Sequence, residues 1–403
     1  MKKTFLYLSL VVLILYSCTP EDLPIVPLKP AEKGSVDSVY MSRAELIFEN
    51  IFKYYWSDKV NLLYGSYPNV SNPQQEPSSP QYNVHAYLWG YGGALSAFNA
   101  IVQHTSNTDF RLKYESKLKT ALLQYYTPNR NPAGFACFVN SHDKRLYDDA
   151  IWVGIDLVDL YDKTKDSWYL DYAKIIWHFI MSGMDDVLGG GIYWEETPKD
   201  SKNTCSNAPA AVFAVKLYET THEEIYLETG KDLYNWVKNN LQDPKDHLYW
   251  DNIKLDGRIE TWKFSYNSGQ MLQAGVLLYN TTKDERYLND AKTLAEACYN
   301  EFFNKNFISN YSGERFPIIK DGHLWFNAIM VRGFIELDQV EEQGVYMTAI
   351  RKSLEHGWKY AMDSSTGLLK SNLSGNNFGQ PNESGDILYQ GAIAEMFARM
   401  AVR

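Results

Sequence analysis

The sequence predicts an all-α protein, an (α/α)6 barrel of six inner and six outer helices with its long loops on one rim. A sequence repeat supports this fold. Each of its three copies begins with a Leu-Tyr pair and ends, a few residues later, with a Tyr-Leu pair. The tyrosines of the three Leu-Tyr pairs are Tyr161, Tyr218 and Tyr279. Stretches with apolar residues at helical spacing flank each copy. These stretches alternate between apolar and amphipathic, as expected for helices that lie by turns inside and outside a barrel.

Twelve helical segments follow one another along the chain. The even-numbered segments are mostly richer in Gly, Ala and apolar residues, so we expect them to form the inner ring. The odd-numbered segments carry Lys and Glu on one face and should lie outside. Six complete pairs favour a closed barrel over an open helical solenoid, the alternative for such a repeat. The approximate predicted ranges are 42–57, 84–104, 109–126, 147–163, 167–182, 205–221, 223–240, 265–282, 284–302, 323–340, 345–363 and 385–402.

The connections between these helices are unequal in length. Inner-to-outer connections have about two to four residues, whereas outer-to-inner connections run to about twenty. The long connections contain Gly, Pro and short β-like pieces, such as 189–194 and 247–250. Long loops in a compact domain are usually functional. In an alternating barrel they all fall on the rim where the inner helices begin, so we expect the binding cleft there.

The N-terminus has the pattern of a targeting segment. A basic start and an apolar run over 5–16, too short to span a bilayer, precede Cys18. This resembles a bacterial lipoprotein signal over 1–18 that ends in a lipidated Cys18; an ordinary secretory signal is the alternative. The acidic segment that follows resembles the tether of surface-exported Bacteroidetes lipoproteins, which implies an outer-membrane anchor and exposure at the cell surface, or alternatively toward the periplasm. Residues 19–41 are predicted to be a flexible linker and 42–403 the barrel domain.

The composition narrows the range of functions. A net charge of −10 and a pI near 5.4 argue against a nucleic-acid partner, because phosphate binding needs a basic surface. The sequence has no Cys-x-x-Cys motif and no His/Cys cluster, so neither a metal nor a cofactor is expected. Thirty Tyr and eleven Trp exceed what a core needs and suit the faces of sugar rings. We expect a monomer that touches the membrane only through its lipid anchor, with Cys137, Cys205 and Cys298 as buried free thiols.

The starts of the inner helices carry the candidate site residues. Asp148 and Asp149 open the fourth helix among apolar residues, and two carboxyls buried together acquire different pKa values. Such a pair suits a glycosidase, which needs one acid and one base or nucleophile. The alternative is that they only favour the helix entry, by about 0.3–1 kcal/mol each. Candidate substrate contacts, each explicable singly as a cap or core residue, are Trp89, Tyr147, Tyr193, Trp194, Lys202, Asn203, Asn207, Tyr266, Asn267 and Trp325.

Five motifs occur in one order along the chain: YDDAIW at 147–152, GGIYW at 190–194, KNTCSN at 202–207, YNSG at 266–269 and WFNA at 325–328. Together they resemble glycoside hydrolase family 76, the bacterial endo-α-1,6-mannanases, over about 42–402. The resemblance implies an (α/α)6 catalytic domain that needs no cofactor and acts on α-mannan or manno-oligosaccharides. It also implies a retaining mechanism, with Asp148 as the nucleophile and Asp149 as the general acid/base.

Other functions stay open at this point. The barrel could belong to a non-catalytic surface glycan-binding lipoprotein, which would bind mannan without hydrolysing it. It could also belong to another (α/α)6 carbohydrate enzyme, such as an unsaturated glucuronyl hydrolase or a sugar epimerase. Such epimerases typically use paired histidines, and here only His85 and His323 stand at inner helix starts. A retaining enzyme could, in addition, transfer the sugar to another hydroxyl instead of water.

Overall fold

The computed structural model describes residues 35–68, 85–377 and 385–402. Within these ranges the chain forms twelve α-helices in the predicted order. They are α1 Ser38–Tyr55, α2 Leu88–His104, α3 Thr108–Leu123, α4 Tyr147–Thr164, α5 Ser167–Met181, α6 Thr204–Thr221, α7 Glu224–Leu241, α8 Ser265–Thr282, α9 Glu285–Phe302, α10 Leu324–Val340, α11 Gly344–Tyr360 and α12 Ile387–Met400.

The six even-numbered helices form a closed ring. Each packs against the next, from α2 through α4, α6, α8 and α10 to α12, and α12 packs back on α2. The odd-numbered helices lie outside this ring, with α5 on α4, α7 on α6, α9 on α8 and α1 on α12. The predicted (α/α)6 barrel is therefore confirmed. The open solenoid is wrong, because the first and last inner helices are in contact.

Glycines determine how closely the inner helices approach one another. A Cβ atom at Gly269 of α8 would lie 2.3 Å from the Cα of Met330 in α10. Where α12 meets α2, a Cβ at Gly391 would lie 2.4 Å from the carbonyl oxygen of Gly93. No side chain fits at such a distance, so the two backbones touch directly at both contacts. This explains why the inner segments are rich in glycine.

The sequence repeat forms the turns that lead from inner to outer helices. In three copies the inner helix ends at a residue in the left-handed conformation, whose backbone N–H donates to the carbonyl of the repeat tyrosine. The threonine just before it donates its hydroxyl to the leucine carbonyl one turn back, at 2.6 or 2.7 Å. Both bonds satisfy carbonyl groups that a helix end leaves without partners. The left-handed residues are Lys165, His222 and Lys283.

The long connections join outer to inner helices and contain short antiparallel strands. Three two-stranded pairs are β1 Trp56–Ser57 with β2 Leu62–Leu63, β3 Tyr126–Thr127 with β4 Gly134–Phe135, and β8 Phe303–Ile308 with β9 Arg315–Ile319. A three-stranded sheet consists of β5 Ser201–Asn203, β6 Trp250–Lys254 and β7 Ile259–Lys263, in that order. Strand β5 leads directly into α6 and β7 into α8, so this sheet lies at the rim where the inner helices begin.

The N-terminal boundary differs from the prediction. Helix α1 begins inside the range assigned to the linker, because the side chain of Asp37 accepts the backbone N–H groups of Val39 and Tyr40 at 3.0 and 3.2 Å and caps the helix. The expected signal over 1–18, including Cys18, and most of the linker lie outside the described residues. In the part of the chain that is described, no helix is both long and apolar enough to cross a membrane.

Strand pairing shortens two predicted helices. Helix α2 begins at Leu88 rather than near 84, since His85 is extended and bridges Tyr64. Helix α3 ends at Leu123 rather than near 126, since the next residues enter strand β3. Both differences lie at helix ends, where long-range pairing competes with local helical preference.

Candidate active site

The two aspartates lie where α4 begins, on the long-loop rim. Leu146 precedes the helix in an extended conformation and bridges Glu195. The backbone N–H of the first helical residue, Tyr147, donates to the carbonyl of Trp194 at 3.0 Å. The entry to α4 is thereby fixed to the loop before β5, and the carboxyl group of Asp148 faces Trp194 of that loop. The carboxyl group of Asp149 lies beside Cys137 instead.

Three donors reach the carboxylate of Asp148. The indole N–H of Trp194 donates to Oδ2 at 3.1 Å, and the thiol of Cys205 donates to the same oxygen at 3.3 Å. The backbone N–H of Asp149 donates to Oδ1 at 3.0 Å. Cys205 is a buried free cysteine, as are Cys137 and Cys298, which confirms the expectation for all three. This donor set stabilises the ionised form of Asp148.

The two carboxyls have different proton affinities. Burial raises the pKa of Asp148 to about 6, and the donors from Cys205 and Trp194 oppose that rise. Burial, together with the negative charge of Asp148, raises the pKa of Asp149 well above its usual value. The ionised form is therefore favoured more at Asp148 and the protonated form more at Asp149.

Aromatic rings line the space beside this pair. The Trp325 ring is only 1% exposed and packs edge-on against Trp152 and Trp89, with ring centroids 4.9 and 5.4 Å apart. Tyr266 stacks on Phe326 at 4.1 Å. Trp89, Tyr266 and Phe326 are half-buried, so part of each ring faces the cleft. Among the described residues, the buried indole nitrogens of Trp89 and Trp325 have no acceptor, which makes them available to a ligand oxygen.

Three residues that were predicted to contact the substrate instead form hydrogen bonds or packing contacts inside the protein. Lys202 lies in the interior, where its ammonium donates to Asp185 and to the carbonyls of Val187 and Gly190 at 2.7 Å each. Asn207 uses its amide to accept from and donate to the backbone of Ile192. The ring of Tyr147 is buried against outer helix α5, and its centroid lies 4.8 Å from that of Phe179 in α5. The structure does not bring these side chains to the aspartates.

The remaining predicted residues complete the loop and the sheet. Tyr193 is buried and donates its hydroxyl to Asp185 at 2.9 Å, so it helps to hold the loop that presents Trp194. Asn203 ends β5 and accepts from the hydroxyl of Ser201 at 2.8 Å. The structure thus places Trp194 against Asp148 and Tyr266 beside Cys205. Trp89 and Trp325 lie in the aromatic wall, and Asn267 lies beside Asp251. Tyr193 and Asn203 lie in the loop and strand next to Trp194.

Four further residues of the site are not among the predicted contacts. Asp251 on β6 lies beside Asn267. Burial raises the pKa of the Cys205 thiol and of Tyr266, and the negative charge of Asp251 adds to both rises. Burial raises the pKa of Asp251 itself. The others are Cys205, Phe326 and His323.

His323 lies within the aromatic wall of the cleft. Its ring stacks on Trp89 and Phe326, with centroids 5.4 and 4.1 Å away. Burial lowers the pKa of His323 to about 4, so the ring is neutral at physiological pH. Across the described ranges, no group of three or more His, Cys, Asp or Glu side chains could hold a metal ion.

The sequence from residue 40 to residue 399 matches the model of Glycosyl hydrolase family 76. The chain belongs to this family. The match covers the whole ring of helices and includes the aspartate pair at the start of α4 and the aromatic wall opposite it.

Solved family 76 structures share the fold. One, from a bovine strain of Bacteroides thetaiotaomicron, is 34% identical with a TM-score of 0.82 and covers 90% of this chain and 77% of its own. A family 76 mannosidase from B. thetaiotaomicron VPI-5482 is 32% identical, again with a TM-score of 0.82, over 90% of this chain and 98% of its own.

A third structure shows a relative with a sugar bound. It is an inactive variant of an α-1,6-mannanase from Salegentibacter sp., in which two consecutive aspartates are changed to asparagine, in complex with α-1,6-mannotriose. It is 25% identical, with a TM-score of 0.70, and covers 90% of this chain and 99% of its own.

Curated family relatives include fungal enzymes. The protein named mannan endo-1,6-alpha-mannosidase DCW1 of Candida glabrata is 22% identical over 263 residues, which cover 61% of this chain and 57% of that protein. Its counterpart in Candida albicans is 23% identical over 55% of this chain and 50% of its own length. The chain therefore spans about half the length of these relatives.

Proposed function

We propose that the protein is a retaining glycoside hydrolase that cleaves α-1,6-mannosidic linkages in mannan. The observation that supports this most directly is the aspartate pair: Asp148 accepts three hydrogen bonds, while burial and the charge of Asp148 favour the protonated form of Asp149 beside it. One carboxylate and one carboxylic acid at the same place are the two groups that double displacement requires. The names of the family relatives point to α-1,6-mannan as the substrate.

In the first step, a carboxylate oxygen of Asp148 attacks the anomeric carbon of a mannosyl unit. The bond between that carbon and the 6-oxygen of the next unit breaks, and Asp149 gives its proton to the departing oxygen. The products are a covalent mannosyl ester on Asp148 and a shortened chain with a free 6-hydroxyl. The donors from Trp194 and Cys205 hold the attacking carboxylate in a single orientation.

In the second step, Asp149 is a carboxylate and removes a proton from water. The water oxygen attacks the anomeric carbon, the ester bond to Asp148 breaks, and Asp148 returns to its ionised form. Asp149 regains the proton it lost, so the site is restored. Two inversions leave the released sugar with the α configuration of the substrate.

The decisive experiment incubates the protein with linear α-1,6-mannan and follows product size and anomeric configuration by chromatography and NMR. Release of shorter chains whose new reducing ends are first α supports the proposal. Asp148→Asn and Asp149→Asn should each reduce the rate by at least about 10³-fold. Asp109→Asn is the matched control, since Asp109 is also an acidic residue in the first turn of a helix but lies on the outer helix α3.

Two outcomes would overturn this proposal. Binding of mannan without any hydrolysis by the unmutated protein would identify a glycan-binding protein instead. Near-normal activity in either Asp148→Asn or Asp149→Asn would show that the pair only stabilises the helix entry. Circular dichroism of each variant separates a catalytic loss from a folding defect, because Asn retains the size of Asp.

We also infer that lipid attached to Cys18 anchors the protein to the outer membrane, with the barrel at the cell surface. The basic start, the short apolar run and the cysteine after it support this inference. Cys18→Ala should abolish incorporation of labelled fatty acid and release the protein from the membrane fraction. Resistance of the barrel to protease added to intact cells would favour an anchor that faces the periplasm.

A further inference from the structure

Trp262 on strand β7 exposes 70% of its surface. A single exposed apolar side chain is ordinary on a protein surface, so exposure alone says nothing of its role. Trp262 lies on the sheet beside the candidate active site. The side chains next to it in the strand indicate which way its ring points.

Lys263, the next residue, points toward the outer helices. Its ammonium bonds Asp243 and Asp246, just beyond the end of α7, at 2.6 Å each. Successive side chains of a strand point to opposite faces. Trp262 therefore points to the face of β7 opposite Lys263, away from the connection that follows α7.

The ring of Phe264 shows which part of the protein lies on the Trp262 side of the chain. It follows Lys263 in an extended conformation, so it lies on the same side of the chain as Trp262. Its ring packs against Phe326 and Tyr266, with centroids 5.6 and 6.1 Å away. Trp262 thus continues the aromatic wall of the cleft outward by two strand residues, about 6.6–6.8 Å.

The sheet also connects this tryptophan to the aspartate pair. A bulge in the pairing of β6 with β7 sets Thr261 and Trp262 against the single residue Asp251. The charge of Asp251 acts on the thiol of Cys205, which donates to Asp148. The exposed ring is therefore one strand beyond a carboxylate that already belongs to the site.

We propose that Trp262 is the platform for a mannosyl unit remote from the bond that is cleaved. The apolar C–H face of a hexopyranose stacks on an indole, as aromatic rings in carbohydrate sites do, and an exposed platform outside the cleft serves only a chain long enough to reach it. This inference rests on the proposed function and extends it: the substrate is a polymer bound through more units than those flanking the cleaved bond.

The test compares kcat/KM for α-1,6-manno-oligosaccharides of increasing length and for linear mannan. In the unmutated protein kcat/KM should rise with length until the chain reaches the platform. Trp262→Ala should lower the value for long chains by roughly 5- to 10-fold and leave the shortest cleaved substrate unchanged. Trp262→Phe should restore most of the loss. Ile225→Ala is the control, because Ile225 is 64% exposed on outer helix α7.

The outcomes separate this inference from the proposed function. If the unmutated protein neither cleaves nor binds α-1,6-mannan, the proposed function fails and the platform fails with it. If it cleaves mannan but Trp262→Ala matches it at every chain length, only the platform is overturned. An equal loss on short and long chains would also overturn it, since a remote subsite cannot act on a substrate that does not reach it. Calorimetric binding of long and short chains to Asp149→Asn, with and without Trp262→Ala, measures the same preference without turnover.

Discussion

Asp148 and Asp149 have different environments although they are adjacent. Donors favour the ionised form of Asp148, whereas Asp149 is buried next to that negative charge. Because the folded pKa of Asp149 lies above its usual 3.8, the contribution of this group to stability is present below about pH 3.8 and is lost as the pH rises toward the raised pKa. At neutral pH the raised pKa values of the pair therefore lower the stability of the fold. The same environments supply a proton donor beside a carboxylate.

The hydrogen bond from Trp194 should influence the acidic limb of the pH profile. The kcat/KM of the unmutated protein should fall below about pH 6, where Asp148 takes up a proton, and fall again at the higher pH where Asp149 loses its proton. Trp194→Phe removes a donor that lowers the pKa of Asp148, so the acidic limb should move to higher pH. Initial rates on mannan across the pH range measure both limbs.

The control for this prediction is Trp168→Phe, the same change on outer helix α5, which should leave the profile in place. Since the two carboxyls titrate together, the limbs describe the pair and not one residue. An acidic limb that does not move in Trp194→Phe would show that the indole does not stabilise the attacking carboxylate.

At the scale of the elements, periodicity and the repeat predicted the order of the twelve helices and their turns, because both depend on neighbours in sequence.

The site could be predicted only in part. Successive residues of a helix point about 100° apart, so Tyr147 faces the outer helix although it adjoins Asp148. Asp251 reaches the site through the pairing of β5 with β6, and no sequence motif marks that register. Lys202 was predicted to contact the substrate, but its ammonium bonds four carbonyl and carboxylate oxygens of one loop. The sequence alone does not show where that loop lies, so these internal acceptors could not be predicted.

Gly269→Ala should lower the thermal stability strongly. The added Cβ would lie 2.3 Å from the Cα of Met330, and neither backbone can move without opening the contact between α8 and α10. The loss should be at or above the upper end of the about 1–3 kcal/mol that overpacking usually costs. Gly344→Ala at the start of α11 is the control: nothing lies within 4 Å of its Cβ, and we expect an unchanged or slightly higher Tm. Equal Tm values for both variants would contradict direct backbone contact.

At the scale of the whole molecule, a buried polar network joins the first inner helices to the last. Asp156 of α4 accepts from Ser96 and Asn99 of α2 at 2.5 and 2.8 Å. Glu395 of α12 accepts from Arg332 of α10 at 2.6 Å. Burial raises the pKa of Asp156 to about 6, and the charge of Arg332 opposes that rise, so the two halves of the network interact. Buried polar bonds thus join α2 to α4 and α10 to α12, in addition to the glycine contacts between inner helices.

Glu395→Gln should therefore destabilise the barrel far more than its small change in shape suggests. Glu395 is 1% exposed and also accepts from Arg399 at 2.6 Å, so its neutralisation takes this counter-charge from the buried guanidinium of Arg332 and the partly buried one of Arg399. Breaking such a buried pair typically costs about 3–5 kcal/mol. The exposed pair of Arg258 and Asp256 supplies the control, since Asp256→Asn should leave the free energy of unfolding almost unchanged.

Urea unfolding at neutral pH measures both values. A double variant, Glu395→Leu with Arg332→Met, should recover much of the loss, because apolar side chains of similar size can replace a buried ion pair. A Glu395→Gln variant as stable as the unmutated protein would show that the arginines find other partners and that glycine contacts alone close the ring. Such a result would assign the cohesion of the barrel to backbone contact and leave the charge of Glu395 without a role in holding α10 and α12 together.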